Sequence, residues 1–154
     1  MDGAPHSRDL RKGRVSAPGH AYLVTTVTLA REPLLGDLWA ARTLVRALRR
    51  HQSEGYAQTL AFVVMPDHLH WLMVLGKRRP LSQVVGSMKA SASRRIRGLG
   101  GGHADFAWQP GFHDHAVRSD QDLQALARYV VANPLRAGLV TSIGRYSHWD
   151  AVWF

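Results

Sequence analysis

The sequence predicts an α+β fold in which helices pack on an antiparallel sheet, and three observations support it. Strand-like and helix-like hydrophobic periods alternate along the chain in the order β, α, β, β, α, β, α. Two βαβ units on a shared sheet give the ferredoxin-like βαββαβ plan, here followed by one further helix. At 154 residues, 45% of them hydrophobic, the chain suits one compact domain with its own core.

The chain is expected to consist of a basic arm and a single domain. Residues 1–20 are rich in Gly, Pro, Ser and Arg and show no hydrophobic period, so we expect a flexible arm. Residues 21–154 are expected to form the domain, with a C-terminal tail that begins at about residue 141.

The first predicted strand and helix follow the arm. The alternating, β-branched run at residues 22–29 predicts a strand. Asp37 is suited to cap the helix that follows it. The apolar stripe of that helix is predicted to be Leu38, Ala41, Leu44, Val45 and Leu48.

A hairpin and a second helix are predicted next. Residues 58–65 and 68–75 read as two strands joined by a Pro66-Asp67 turn. The strand at residues 68–75, the third along the chain, is apolar on both faces, which is typical of a central, buried strand. Apolar residues then recur at helical spacing between residues 81 and 96, and the glycine-rich loop at 98–102 ends this helix.

A fourth strand and a third helix complete the predicted fold. The strand is expected within residues 112–117. Ser119, followed three residues later by Asp122, resembles a capping box and predicts the start of the helix. This helix should run to about Asn133, because Pro134 disfavours helical geometry in the residue before it.

The charge of the chain indicates a polyanionic partner. Twenty Lys and Arg residues stand against 11 Asp and Glu, a net charge of +9 with nine neutral histidines. Such a charge fits nucleic acid or an acidic membrane surface. Because the basic residues are spread over several predicted elements and form no amphipathic anchor, we favour nucleic acid and expect no membrane partner.

Composition also restricts the location and the chemistry. There is no cysteine, which excludes disulfides and thiolate zinc sites. With no apolar signal core and no run long enough to span a bilayer, we expect a cytoplasmic protein, associated with the nucleoid through DNA. Phosphate-loop, GxSxG and HExxH motifs are absent, and the acidic residues are too scattered for a carboxylate-based two-metal nuclease.

Two histidine pairs are candidate metal ligands. His68 and His70 lie two residues apart on the predicted third strand, so both imidazoles project to one face and can share a metal ion. They could equally be hydrogen-bonded structural histidines. His113 and His115 have the same spacing in a polar segment after a Pro-Gly turn, which makes them a rival pair.

Tyr129 and Asn133 are the candidate nucleophile and a further ligand. They lie one turn apart on the flank of the predicted third helix. A phenol held by packing with a reachable oxygen can attack phosphorus, and an amide oxygen can coordinate a divalent ion. The alternative is a half-buried core tyrosine beside a helix-ending Asn-Pro. Trp108 could likewise stack on DNA bases or belong to the core.

Three segments resemble the HUH single-tyrosine transposases. Residues 62–72, FVVMPDHLHWL, are similar to the histidine signature of that family. Residues 128–140, RYVVANPLRAGLV, resemble its tyrosine-helix motif. Residues 11–19, RKGRVSAPG, resemble the basic leader of the REP-associated branch, which acts on repetitive extragenic palindromes. The three segments together span most of the chain, and their order and spacing make the resemblance specific.

The resemblance implies a ferredoxin-like fold and a set of functional residues. It assigns Mg²⁺ or Mn²⁺ binding to His68, His70 and Asn133, and nucleophilic attack to Tyr129. The third ligand varies in the wider family between Glu, Gln and Asn. The implied reaction cuts single-stranded DNA near palindromic hairpins through a covalent 5′-phosphotyrosine, with later rejoining by a 3′-hydroxyl. The resemblance implies no role for the second histidine pair.

Single-stranded or hairpin DNA is the expected partner. The REP-associated branch implies a monomer, whereas the wider family works as dimers. The alternative function is a non-catalytic nucleic-acid-binding module of the same ferredoxin-like fold. The residues expected to contact DNA are Arg8, Arg11, Lys12 and Arg14 on the arm, Arg42, Arg46, Lys89, Arg94 and Arg95 on the helices, and Trp108.

Overall fold

The computed structural model describes residues 16–141, 146 and 148–151. Its strands form one antiparallel sheet in the order β4-β1-β3-β2-β5. They are β1 (Ala21–Val27), β2 (Ala57–Met65), β3 (His68–Leu75), β4 (His113–Val117) and β5 (Trp149–Ala151). The helices are α1 (Leu38–Ser53), α2 (Leu81–Arg97), α3 (Asp120–Val131) and the single turn α4 (Asn133–Arg136), with short 3-10 turns at Leu29–Arg31 and Gly101–His103. The expected ferredoxin-like plan is confirmed, and β5 extends it at the β2 edge.

The central strand β3 is covered on both faces of the sheet. Trp71 and Met73 point into a core formed with α1 and α2, whereas Leu72 points into a second core beneath α3. All three side chains are fully buried. Burial of a large apolar side chain stabilises a fold by roughly 1.5–3 kcal/mol, so this strand carries much of the stability.

The helix α1 is rotated relative to the predicted stripe. Leu38 is 40% exposed and Val45 is only partly buried, while Ala40 and Ala47 face the core. Ala41, Leu44 and Leu48 of the predicted stripe are buried, and the additional alanines at the contact let the helix approach the sheet closely. The Asp37 cap is present, since its carboxylate accepts a hydrogen bond from the amide of Trp39 (2.9 Å).

The helix α3 starts as predicted and ends earlier. The Ser119 hydroxyl accepts a hydrogen bond from the amide of Asp122 (3.2 Å), which is the expected cap. The helix ends at Val131, and Asn133 opens the turn α4 with Pro134 in its first positions. Proline is suited to that place because its missing N–H would lack an intrahelical partner there anyway.

The two ends of the chain are described only in part. Arg8, Arg11, Lys12 and Arg14 lie outside the described residues, as do residues 142–145, 147 and 152–154 of the predicted tail. The arm is joined to the domain at its last residues, because the Gly19 amide donates to the Leu75 carbonyl (2.7 Å) and the Ser16 hydroxyl accepts from the Leu81 amide (3.0 Å). Within the tail lies β5, which the sequence did not predict. It pairs with β2.

The described helices include none that is long and apolar enough to cross a membrane.

Candidate active site

His68 and His70 lie at the start of β3 and project to the same side of the sheet as Leu72. We call this side the histidine face; it is also the side on which α3 packs. The two imidazole rings meet edge to face, with centroids 4.8 Å apart. The alternation of β3 therefore brings the rings together, as the sequence predicted.

Each imidazole is oriented by a hydrogen bond at its Nδ1 atom. Nδ1 of His68 is 2.7 Å from a carboxylate oxygen of Asp67, and Nδ1 of His70 is 2.8 Å from the Thr25 hydroxyl. In each ring, Nε2 is then the nitrogen that could bind a metal. Hydrogen bonds of this kind fix the ring orientation of metal-binding histidines, so the arrangement fits a shared divalent ion.

Asp67 connects His68 to the rest of the fold. Its carboxylate also accepts a hydrogen bond from Arg31 (2.9 Å). Burial alone would raise the pKa of Asp67, but the hydrogen bonds and charges of His68 and Arg31 outweigh burial and hold this pKa below its ordinary value. Asp67 is therefore ionised at neutral pH, and it favours the His68 tautomer that carries its proton on Nδ1.

The turn before His68 is held from two other segments. The carbonyl of Asp67 accepts hydrogen bonds from the amide and the hydroxyl of Thr28 (2.9 and 3.0 Å). The carbonyl of Pro66 accepts one from the amide of Leu35 (2.9 Å). The backbone that presents the histidine pair is thus fixed by residues outside the hairpin.

His70 is the more buried histidine of the pair. Burial lowers the pKa of His70 to about 4, and the charges of His68 and Arg136 contribute to the shift. The ring is consequently neutral at pH 7, which leaves a lone pair on the imidazole. A neutral imidazole is the form that coordinates a metal.

Tyr129 lies on α3 beside the histidine pair. Its ring centroid is 6.2 Å from that of His70, and 49% of the residue is exposed. The guanidinium carbon of Arg136 lies 4.0 Å from the centre of the phenol ring, and an Arg136 N–H donates to the Tyr129 carbonyl (2.9 Å). The phenol is thus held in place but reachable by a ligand, the setting that a nucleophile needs.

Asn133 closes the end of α3. Its amide nitrogen donates to the carbonyls of Tyr129 (3.2 Å) and Val130 (3.0 Å), which the end of the helix leaves without helical partners. The amide oxygen is then the atom that could coordinate a cation. Within the described ranges, no three His, Cys, Asp or Glu side chains come together, so a cation at the pair would need a different third donor, and Asn133 is chemically suited.

The rival pair, His113 and His115, lies on the edge strand β4. Both residues are exposed. The strand β1 separates them from β3, with Thr25 opposite both His113 and His70 in the register. The structure therefore does not bring the two histidine pairs into one cluster.

Arginines gather on the side of the sheet opposite the histidine face. Four of them form what we call the arginine surface: Arg46, Arg50, Arg94 and Arg95, contributed by α1 and α2. Burial lowers the pKa of Arg50, and the nearby charges of Arg95, Arg46 and Arg94 lower it further. Three of these residues were predicted to contact DNA; Arg50 was not.

Arg42 lies in a neighbouring groove between α1 and β5. The groove has a volume of about 330 Å³. Its basic lining consists of Arg42, Arg46 and Arg49, and Phe62 and Trp149 supply aromatic surface. The groove lies at the β5 edge of the sheet, where Trp149 is opposite Val63 and Val63 is opposite His70.

Lys89 and Trp108 hold a loop in place. The ammonium of Lys89 donates to the carbonyls of Gln109 (2.9 Å) and Gly111 (2.6 Å). The indole N–H of Trp108 donates to the Lys89 carbonyl (3.1 Å), and its ring packs edge to face on Phe106 (5.2 Å). These contacts give both residues a structural role, and their contact with DNA stays a prediction.

Three residues of the site were not singled out by the sequence. Asp67 carries a local signal, since an acidic residue directly before a histidine pair can orient the first ring. Arg136 stands seven residues after Tyr129, two helical turns away, but the break at the end of α3 hides that spacing. Thr25 reaches His70 only through strand pairing, for which the sequence has no local signal.

Comparison with known proteins identifies the family. The family model for IS200-like transposases matches residues 16–133, most of the chain. No curated protein matches the chain. The match places the chain in the class of DNA-processing enzymes that act as transposases. Within that class, the chain belongs to the IS200-like transposase family, which confirms the resemblance found in the sequence.

Two solved structures share the fold. One is a REP-associated tyrosine transposase bound to a REP hairpin, with a TM-score of 0.72 and 22% identity over 88% of this chain and 79% of the other. The second is a transposase-like protein from Deinococcus radiodurans R1, with a TM-score of 0.56 and 22% identity over 77% of this chain and 94% of the other. At this identity the similarity shows a common architecture.

Proposed function

We propose that this transposase cuts single-stranded DNA beside a hairpin of a repetitive palindrome and forms a covalent bond between Tyr129 and a 5′-phosphate. The observation that carries the proposal is the half-exposed phenol of Tyr129 beside two oriented imidazoles, 6.2 Å from the nearer ring. The REP hairpin bound by the similar transposase supports hairpin DNA as the partner. Such cleavage needs one tyrosine, which suits action as a monomer.

The donor atoms at the site support a metal requirement, which is part of the proposal. His68, His70 and Asn133 would hold Mg²⁺ or Mn²⁺ through two imidazole nitrogens and one amide oxygen. When bound, the ion would neutralise charge on the phosphate that is being transferred. Asp67 and Thr25 would keep the two rings in the binding orientation.

The chemical step is assigned to Tyr129. Its phenolic oxygen attacks phosphorus, so that a new O–P bond forms while the bond between phosphorus and the deoxyribose O3′ breaks. The phenol loses its proton, and the departing O3′ takes up a proton to become a hydroxyl. Rejoining is the reverse, with a 3′-hydroxyl attacking the phosphotyrosine. One phosphoester replaces another, so no ATP is needed.

Arg136 is proposed to keep the nucleophile in its attacking position. It contacts the face of the Tyr129 ring and the carbonyl of the same residue, which fixes both the side chain and the helix end that carries it. Fixed orientation of reacting groups lowers the entropic part of a barrier.

Hairpin binding is proposed for the basic residues outside the site. Arg42, together with Arg46, Arg94 and Arg95 of the arginine surface, would contact phosphates of the stem. The arm residues Arg8, Arg11, Lys12 and Arg14 would add further phosphate contacts.

The test is incubation of the protein with end-labelled hairpin DNA that carries single-stranded flanks, in Mn²⁺, followed by a denaturing gel. A slowly migrating band that protease removes is the expected covalent adduct. Cleavage without that band would identify a hydrolytic nuclease instead. A shift seen only on native gels would identify the non-catalytic binding module.

A further inference from the structure

His113 lies in the same row of the sheet as His70. It is opposite Thr25 on β1, and Thr25 is in turn opposite His70 on β3. Directly opposed residues of antiparallel strands project to the same face, so His113 belongs to the histidine face. Two strand spacings separate the backbones of the two histidines, roughly 10 Å. The Thr25 hydroxyl lies between them, in its hydrogen bond to His70.

This part of the histidine face is open. The helix α3 packs on β2, β3 and β5. On the other two strands, His113 and His115 are exposed and Thr25 is partly buried, while Leu23 is partly buried where it packs against the edge of the core beneath α3. We call these four residues the β1–β4 platform. It continues the surface that carries the histidine pair and the tyrosine.

The loop that leads into the platform is fixed. The Gln109 amide donates to the Val27 carbonyl (2.8 Å), the Lys89 ammonium binds two loop carbonyls, and Phe112 is buried. Thr25 and Val27 border a shallow depression whose other wall is formed by residues 109–113. A surface that is already ordered costs little conformational entropy when a ligand binds.

The direction of the reaction decides which DNA strand would reach the platform. The attacking and leaving oxygens lie on opposite sides of phosphorus in an in-line displacement. Tyr129 approaches from α3, which covers the β2–β3 side of the face. The strand that leaves with the 3′-hydroxyl is therefore directed away from α3, toward β1 and β4.

We propose that the β1–β4 platform binds the single-stranded DNA segment that ends in the 3′-hydroxyl after cleavage. This inference rests on the proposed function of Tyr129. His113 lies nearest the break and contacts the terminal nucleotides, and His115 contacts the segment farther along β4. Imidazoles donate hydrogen bonds to phosphate and stack on bases, and the net charge of +9 favours an anionic strand. The platform thereby retains the cut strand for rejoining, because a held reactant has a high effective concentration.

The binding test uses full-length Tyr129→Phe protein, which makes no adduct. A fluorescent oligonucleotide of randomised sequence with a free 3′-hydroxyl is titrated by anisotropy. His113→Ala is expected to weaken binding by about fivefold to tenfold, the effect of removing the stacking partner of one base. His115→Ala should weaken it less. His20→Ala is the matched control, since it removes one exposed imidazole just before the opposite end of β1. Equal losses for His113→Ala and His20→Ala, or no loss at all, would overturn the platform.

The second measurement is made on protein that retains Tyr129. The covalent adduct is formed on hairpin DNA and then chased with an oligonucleotide that carries a 3′-hydroxyl. His113→Ala and His113→Gln should need about fivefold more oligonucleotide for half-maximal rejoining. Failure of the unsubstituted protein to form an adduct would refute the proposed function and leave the binding test valid. A normal adduct with unchanged rejoining in both variants would refute the platform alone.

Discussion

The two sides of the sheet carry positive charge in different ways. On the histidine face the imidazole of His70 is neutral, and Arg136 is fixed by a contact to one ring and one carbonyl. On the arginine surface, by contrast, burial lowers the pKa of Arg50, and the like charges that crowd around it lower it further. Chemistry at phosphorus requires fixed groups in a defined protonation state, whereas attraction of a polyanion requires accumulated charge. Substitutions on the two sides should accordingly affect different measurements.

The largest expected effect is that of Tyr129→Phe. This change removes one oxygen and keeps the ring against Arg136, so the covalent adduct should disappear while hairpin affinity stays within about twofold. Denaturing gels and anisotropy on the same DNA give the two values. Tyr56→Phe is the control and should leave both unchanged. An adduct that persists in Tyr129→Phe would show that another residue is the nucleophile. It would also contradict the assignment of the chemistry to the histidine face.

Loss of the histidine pair should be nearly as severe. We expect His68→Ala and His70→Ala each to lower cleavage by about 100-fold or more, and EDTA to abolish it, since a proposed metal ligand or the ion itself is removed. Asn133→Ala should be milder because water can replace one oxygen ligand. Single-turnover cleavage rates measure these effects. Activity that survives in these variants but not in His113→Ala and His115→Ala would show that the other histidine pair binds the metal.

Neutralising the arginine surface should lower the affinity for hairpin DNA without changing the cleavage rate. Arg46→Gln combined with Arg94→Gln should reduce the slope of log affinity against log salt by up to ~1.8, about 0.9 for each phosphate that is no longer neutralised. The cleavage rate at saturating DNA should stay constant. Arg78→Gln with Arg79→Gln removes the same charge from the exposed loop after β3. If both pairs lower the slope equally, affinity follows net charge and no local surface exists.

The smallest expected effect concerns pH. The folded pKa of His70, about 4, lies below the ordinary value of 6.5. Between these values the unfolded chain binds a proton that the folded chain does not, so the free energy of unfolding falls as the pH is lowered. The decrease from this group is up to about 2 kcal/mol between pH 6.5 and 5. Urea unfolding of the metal-free protein should show it. His70→Gln should flatten the dependence, and an equally steep curve in that variant would contradict the assignment.

Features with a local pattern could be predicted from the sequence. The apolar run of β3 identified the central strand, and the spacing of His68 and His70 placed both rings on one face. The Ser119 cap and the proximity of Tyr129 to Asn133 follow from helical spacing in the same way. Each of these features depends on residues within a few positions of one another.

Features that depend on distant contacts could not be predicted. The strand β5 has three residues, too few for a recognisable period, and exists through pairing with β2. The structural role of Lys89 is of this kind, because its ammonium donates to carbonyls about twenty residues farther along the chain. The rotation of α1 was likewise set by the close fit of Ala40 and Ala47, which a stripe of large apolar residues does not reveal.

The turn at Pro66 and Asp67 also determines how the site opens. The amides of Thr28 and Leu35 lie outside regular strands and helices, yet they donate to the carbonyls of this turn. Hydrogen exchange at these two amides requires the turn to detach from its neighbours, and the start of β3 is part of the same structure. Both amides should therefore exchange on the slow timescale of the central strands rather than on the fast timescale of loops. The segment that presents His68 then opens only together with the sheet, as one cooperative unit.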